Sequence, residues 1–88
     1  MDKIEAFQAA ARQGGFVMSE ATDEGSVLWL KKATGEAEER ICIDTVTKIA
    51  TAYWATIPWK INSTTFRDAA ALLAWVISRP NVSAPSKP

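Results

Sequence analysis

The side chains able to do chemistry are few, and what is missing narrows them further. The 88 residues contain no histidine and a single cysteine, Cys42. Without histidine there is no ordinary general base near neutral pH, no Ser–His or Cys–His pair, and no imidazole for a metal. One Cys and no His cannot assemble a structural zinc site. No glycine-rich phosphate loop is present, and the four glycines fall at turns and helix ends. Carboxylates remain, grouped as Glu20, Asp23, Glu24 and as Glu36, Glu38, Glu39. Both groups fall at expected turns, where acids are ordinarily solvated surface rather than tuned catalytic pairs. Cys42 alternates outward from Ile41 and Ile43 with no cationic neighbour in sequence to activate it, so a small apolar filler is the simpler role. The expectation is a protein with no catalytic residues, no metal and no cofactor.

The more informative residues are the four tryptophans, Trp29, Trp54, Trp59 and Trp75. Tryptophan is highly buried on average, yet with tyrosine and arginine it also dominates binding surfaces. Trp29 shares a strand face with Val27 and Lys31. Trp59 lies in the corner Ile57-Pro58-Trp59-Lys60, and Trp75 borders the apolar side of a helix near Arg79. Trp29, Trp59, Lys60, Trp75 and Arg79 are therefore the expected partner anchors.

These residues need elements to hold them. Asp2-Lys3-Ile4-Glu5 has capping-box spacing, and Ile4, Phe7 and Ala11 recur on one helical face up to the stop at Gly14-Gly15. Gly15–Glu20 and Ser26–Lys32 read as strands around the turn Thr22-Asp23-Glu24-Gly25. Leu28 and Leu30 oppose Val27, Trp29 and Lys31 in the second of them. ERICID (Glu39–Asp44) and KIATAYWA (Lys48–Ala55) read as a hairpin, the first with Ile41 and Ile43 set against Arg40, Cys42 and Asp44. In the last strand Ile49, Thr51 and Tyr53 alternate with Ala50, Ala52 and Trp54, so both faces are fairly apolar. The small Ala50 and Ala52 would admit a closely packed helix. Pro58 ends the ladder. Thr64–Arg79 reads as the final helix, capped by Ser63, Thr64 or Thr65, with Phe66, Ala69, Leu72, Leu73, Val76 and Ile77 forming its apolar arc.

The fold class expected is α+β: an antiparallel meander of three to four strands, with a short N-terminal helix and a C-terminal amphipathic helix packed on it (αββββα). Residues 1–80 form one domain and 81–88 a Pro/Ser-containing flexible tail. Ten basic residues balance ten acidic ones, which leaves no field to recruit nucleic acid or an anionic membrane. No run of residues is long and apolar enough to span a bilayer. The acids at Asp2 and Glu5 and the single Cys make a secretion signal unexpected and the cytoplasm the default compartment.

From Arg40 to Arg79, the hairpin RICIDTVTKIATAYWA, the corner TIPWKINS and the helix opening TTFRDAAALLAW resemble the layout of small phage- and mobile-element-encoded proteins. That group includes some anti-CRISPR inhibitors. The resemblance implies a non-catalytic protein that binds and blocks a larger host complex. Two other functions are weighed beside it. A sheet bearing Trp29, Lys31, Lys32, Tyr53 and Lys60 could stack bases and track phosphates, and a strand meander ending in a helix is similar to single-stranded DNA-binding transcriptional cofactors, although their basic character is missing. A homodimer formed through an apolar sheet face or an edge strand is the third.

Overall fold

A computed structural model describes residues 2–34, 37–56 and 60–78. In chain order it contains α1 (Lys3–Gln13), β1 (Val17–Thr22), β2 (Val27–Thr34), β3 (Ala37–Asp44), β4 (Ile49–Thr56), β5 (Lys60–Phe66) and α2 (Ala69–Ser78). The strands form one antiparallel sheet in the order β1-β2-β3-β4-β5, each hydrogen-bonded to its neighbour in the chain. The α+β meander flanked by helices is thus what the chain builds, with five strands rather than four.

The fifth strand is a correction. Lys60–Phe66 was expected to be a corner followed by the start of the last helix, yet all seven of its residues pair with β4, from Thr56↔Lys60 to Ala50↔Phe66. Ile61, Thr64 and Thr65 are β-branched and suit a pleated surface when a neighbouring ladder is available. The helix instead starts after Asp68, whose Oδ1 accepts the Ala71 amide at 2.8 Å and whose carbonyl accepts the Leu72 amide at 3.3 Å. Asp68 is therefore the cap, and Ser63, Thr64 and Thr65 are strand residues. The tail at 81–88 lies outside the described residues.

Other local signals held. The α1 capping box is complete: Glu5 N–H donates to Asp2 Oδ1 at 2.8 Å and Asp2 N–H to Glu5 Oε1 at 3.3 Å. Gly15 leaves the helix at φ +93°, and Asp23, Glu24 and Gly25 take left-handed conformations in the β1–β2 turn. Between β3 and β4, Asp44 Oδ1 accepts the amides of Val46 and Thr47.

The register sorts the strand residues into two faces. Leu30↔Ile41↔Ala52↔Thr64 and Leu28↔Ile43↔Ala50↔Phe66 form adjacent rows on the covered face. Against them pack Phe7, Ala10 and Ala11 of α1, Phe16, and Leu72 and Val76 of α2. Leu30, Ile41, Ile43, Ala50, Ala52 and Leu72 retain no exposure. Burying each large side chain contributes about 1.5–3 kcal/mol. The helices also pack on each other, closely enough at Gly14 that an added Cβ would lie 2.7 Å from Val76 Cβ.

Two residues of the α2 arc exchange places. Ile77 is 67 % exposed, whereas Trp75 turns inward, its ring 5.5 Å from that of Trp54 and 5.7 Å from that of Phe66. Glu39, expected in a solvated turn, is instead a buried residue of β3 on the covered face.

Candidate functional site

Among the described residues, neither helix lies on the opposite face of the sheet. Its central rows run Glu20↔Trp29↔Cys42↔Thr51↔Thr65 and Val17↔Lys31↔Arg40↔Tyr53↔Ser63. Trp29 on β2 and Tyr53 on β4 lean across β3 and stack, with ring centroids 6.0 Å apart and planes 28° from parallel. This is an offset aromatic pair of the kind that adds about 0.5–1.5 kcal/mol beyond its buried area. The Trp29 indole N–H also donates to Thr22 Oγ1 at 3.2 Å, which fixes the ring from the β1 side.

Arg40 lies in the same row as Tyr53, directly opposite it on β3. Its Nε and Nη2 both donate to Glu38 Oε1, at 3.0 and 2.8 Å, and Lys31 Nζ lies 3.6 Å from the other carboxylate oxygen. The hydrogen bond from Arg40, reinforced by the charges of Arg40 and Lys31, holds the Glu38 carboxyl below its ordinary range against the opposing effect of desolvation. So exposed an ion pair adds little stability. What it does is orient the guanidinium, which has five N–H donors and spends two on Glu38.

Where the pairing stops gives the face its relief. β3 and β4 are paired from Asp44↔Ile49 only as far as Arg40↔Tyr53. Beyond that point β2–β3 pairing continues to Thr34↔Ala37 and β4–β5 pairing to Thr56↔Lys60. The sheet therefore forks into two hairpin arms. A cleft of about 370 Å³ lies at the fork, lined by Trp29, Glu38, Arg40, Tyr53, Trp54, Ala55 and Ile61. A second, more polar depression of about 380 Å³ lies on the other side of Trp29, lined also by Ser19, Glu20, Thr22 and Lys31, and shares Trp29 and Arg40 with the first.

The arrangement presents aromatic surface beside a charge-assisted donor. Among the described residues Glu38 is the one carboxylate lining the cleft, and its lowered pKa makes it a weak base. The Cys42 thiol has its pKa raised, first by burial and then by Asp44, which disfavours the reactive thiolate. Among the described residues no cluster of three or more His, Cys, Asp or Glu side chains is placed to hold a metal, and no helix is long and apolar enough to cross a membrane.

Of the expected anchors, the structure places Trp29 on the open face. Trp75 is spent on packing with Trp54 and Phe66 on the covered side. Lys60 is exposed at the start of β5 and shares the alternation of Phe66, so it is outside the Ile61–Ser63–Thr65 row. Trp59 and Arg79 lie outside the described residues. Lys32 also belongs to the covered side, its Nζ 5.9 Å above the Phe16 ring, so only Lys31 of that pair faces the aromatic rows. Arg40, which the sequence did not single out, and Tyr53, expected only for a nucleic-acid-binding sheet face, stand beside Trp29. Reading the alternations of the three central strands together would have put both beside Trp29, but nothing local in the sequence marks the fork. Compared with known proteins, the chain matches no family model, no curated protein and no solved structure at a significant level.

Proposed function

We propose that the chain is a small non-catalytic protein-binding module that seats its partner on the open sheet face. The observation that carries this reading is the stacked Trp29–Tyr53 pair beside an oriented Arg40, lining a cleft that neither helix covers. Rigid aromatic surface with a guanidinium at its edge is the composition of energetic centres in protein interfaces. The chemistry fits an apolar side chain seated against Tyr53, Ala55 and Ile61, with a neighbouring carboxylate on Arg40. The sequence resemblance to small mobile-element proteins supports inhibition or regulation of a larger complex as the use of such a module.

The test is affinity capture from bacterial lysate, with and without nuclease, using the wild-type chain and folded Trp29→Ala and Arg40→Ala variants. A nuclease-resistant complex captured near stoichiometry by the wild type, and at least tenfold less by either variant, supports the role and the face together. Capture indifferent to both substitutions rules out this face. Capture abolished by nuclease would favour the second reading, in which Trp29 and Tyr53 stack bases while Lys31 and Arg40 contact phosphates. Glu20, Glu38 and Asp44 share that face, and they weigh against a polyanion.

A further inference from the structure

The sheet ends in two edges of different character. Along β1 the pairing register shifts between Met18 and Glu20, and Glu20 stands within the strand. A bulge and a charge are the devices that keep other strands from adding to an edge. β5 has neither. Its seven residues pair with β4 without interruption, and between Lys60 and Phe66 the strand carries no charge and no proline. Among the described residues no strand pairs with its outer side, and the backbone of such an edge is a surface whose complement is another extended strand.

We propose that β5 pairs antiparallel with β5 of a second copy about a two-fold axis through Ser63, joining two five-stranded sheets into one of ten. The choice of a second copy follows from self-complementarity. An axis perpendicular to the sheet keeps both pairs of helices on the same side, so directly opposed residues must share a face and the axis must pass through a residue. Ser63 is the middle residue of β5, and only there does the whole strand overlap its mate. Ile61 then lies against the partner's Thr65, and Asn62 against the partner's Thr64. The one charge of the strand, Lys60, lies against the partner's Phe66, so no like charges meet. A chain of zero net charge adds no long-range repulsion. The pairing would cover Ile61, whose side chain is 70 % exposed in the single chain. Because Ile61 also lines the fork cleft, the dimer would carry two clefts on one continuous face, related by the axis.

The inference stands apart from the protein-binding role, because it is tested on the purified chain alone. Sedimentation over a wide concentration range should show a species of twice the chain mass. Directly opposed residues of an antiparallel pair have Cα atoms about 4.5–5.5 Å apart, inside the range a disulfide spans. Ser63→Cys should therefore form a 63-to-63 disulfide under mild oxidation, read by mass spectrometry. Thr65→Cys should not, since four residues of offset hold the two sulfurs about 13 Å apart. Ser63→Lys sets two ammonium groups opposite each other at an exposed position and should return the chain to single mass with unchanged circular dichroism. A chain that stays at single mass throughout overturns the proposal. So does a dimer that survives Ser63→Lys, or one that cross-links through 65 as readily as through 63.

Discussion

On the covered face of the sheet, Leu30, Ile41, Ile43, Ala50 and Ala52 lose all exposure. One residue away along the same strands, Val27, Trp29, Cys42, Thr51 and Tyr53 keep part of theirs. The backbone ladder is common to both sets, so the difference comes from what lies above each face. Over the first, α1 and α2 complete a packed interior, where removing a side chain leaves a cavity. Over the second, shielding comes from cross-strand neighbours in the same layer, a contribution of about 0.2–1 kcal/mol per pair. The covered face thus specifies the fold, while the open face is free to vary its chemistry at small cost.

The comparison is sharpest at adjacent residues. Leu30→Ala is expected to cost about 2–5 kcal/mol in chemical denaturation, whereas Trp29→Ala should cost about 1 kcal/mol, mostly through loss of the Tyr53 stack. Equal costs would break the distinction between the faces. Next in size is Gly14→Ala, which tests whether the helical layer is as tightly fitted as the sheet beneath it. Gly14 has φ −89°, so alanine is not strained there, and the expected loss of about 1–3 kcal/mol comes from the new methyl meeting Val76. Combining it with Val76→Ala should cost clearly less than the sum of the two single changes. A smaller effect follows from uncapping that layer: Asp68→Ala should lower stability by about 1 kcal/mol, with the loss of helical dichroism that Ser63→Ala does not cause.

The smallest effect belongs to the open face. The Glu38 carboxyl should titrate below the ordinary range in a carbon-detected NMR titration, and Arg40→Ala should bring it back. A carboxylate with a lowered folded pKa contributes stability above its ordinary range and loses it as the pH falls through the lowered value. At so exposed a position the signature is the titration midpoint rather than a change in melting.

These contrasts also explain what the sequence disclosed. The two alternating sets in β2, β3 and β4 were legible because a strand's period of two survives any error in where the strand begins. The Asp2–Glu5 box and Gly14-Gly15 bounded α1 because both signals are local. β5 was not legible. Its Asn, Ser and Thr residues are the same types that cap helices, and of those seven only Phe66 is buried. What makes it a strand is the ladder offered by β4, which lies outside its own sequence. The fork depends on where β3 and β4 part company, so the aromatic residues could be named in advance but their cleft could not.

The meeting of the first helix with the last has a consequence in time. Every strand pairs with its immediate chain neighbour, so the sheet can grow hairpin by hairpin, with little loop closure at each step. The contact between Gly14 and Val76 joins the end of the first helix to the last helix and closes a long loop. Such a clasp is expected to form late, after the rate-limiting barrier. Stopped-flow kinetics of Gly14→Ala should then show an almost unchanged refolding rate and a faster unfolding rate. The lifetime of the folded molecule would be set by how long its first and last helices stay together.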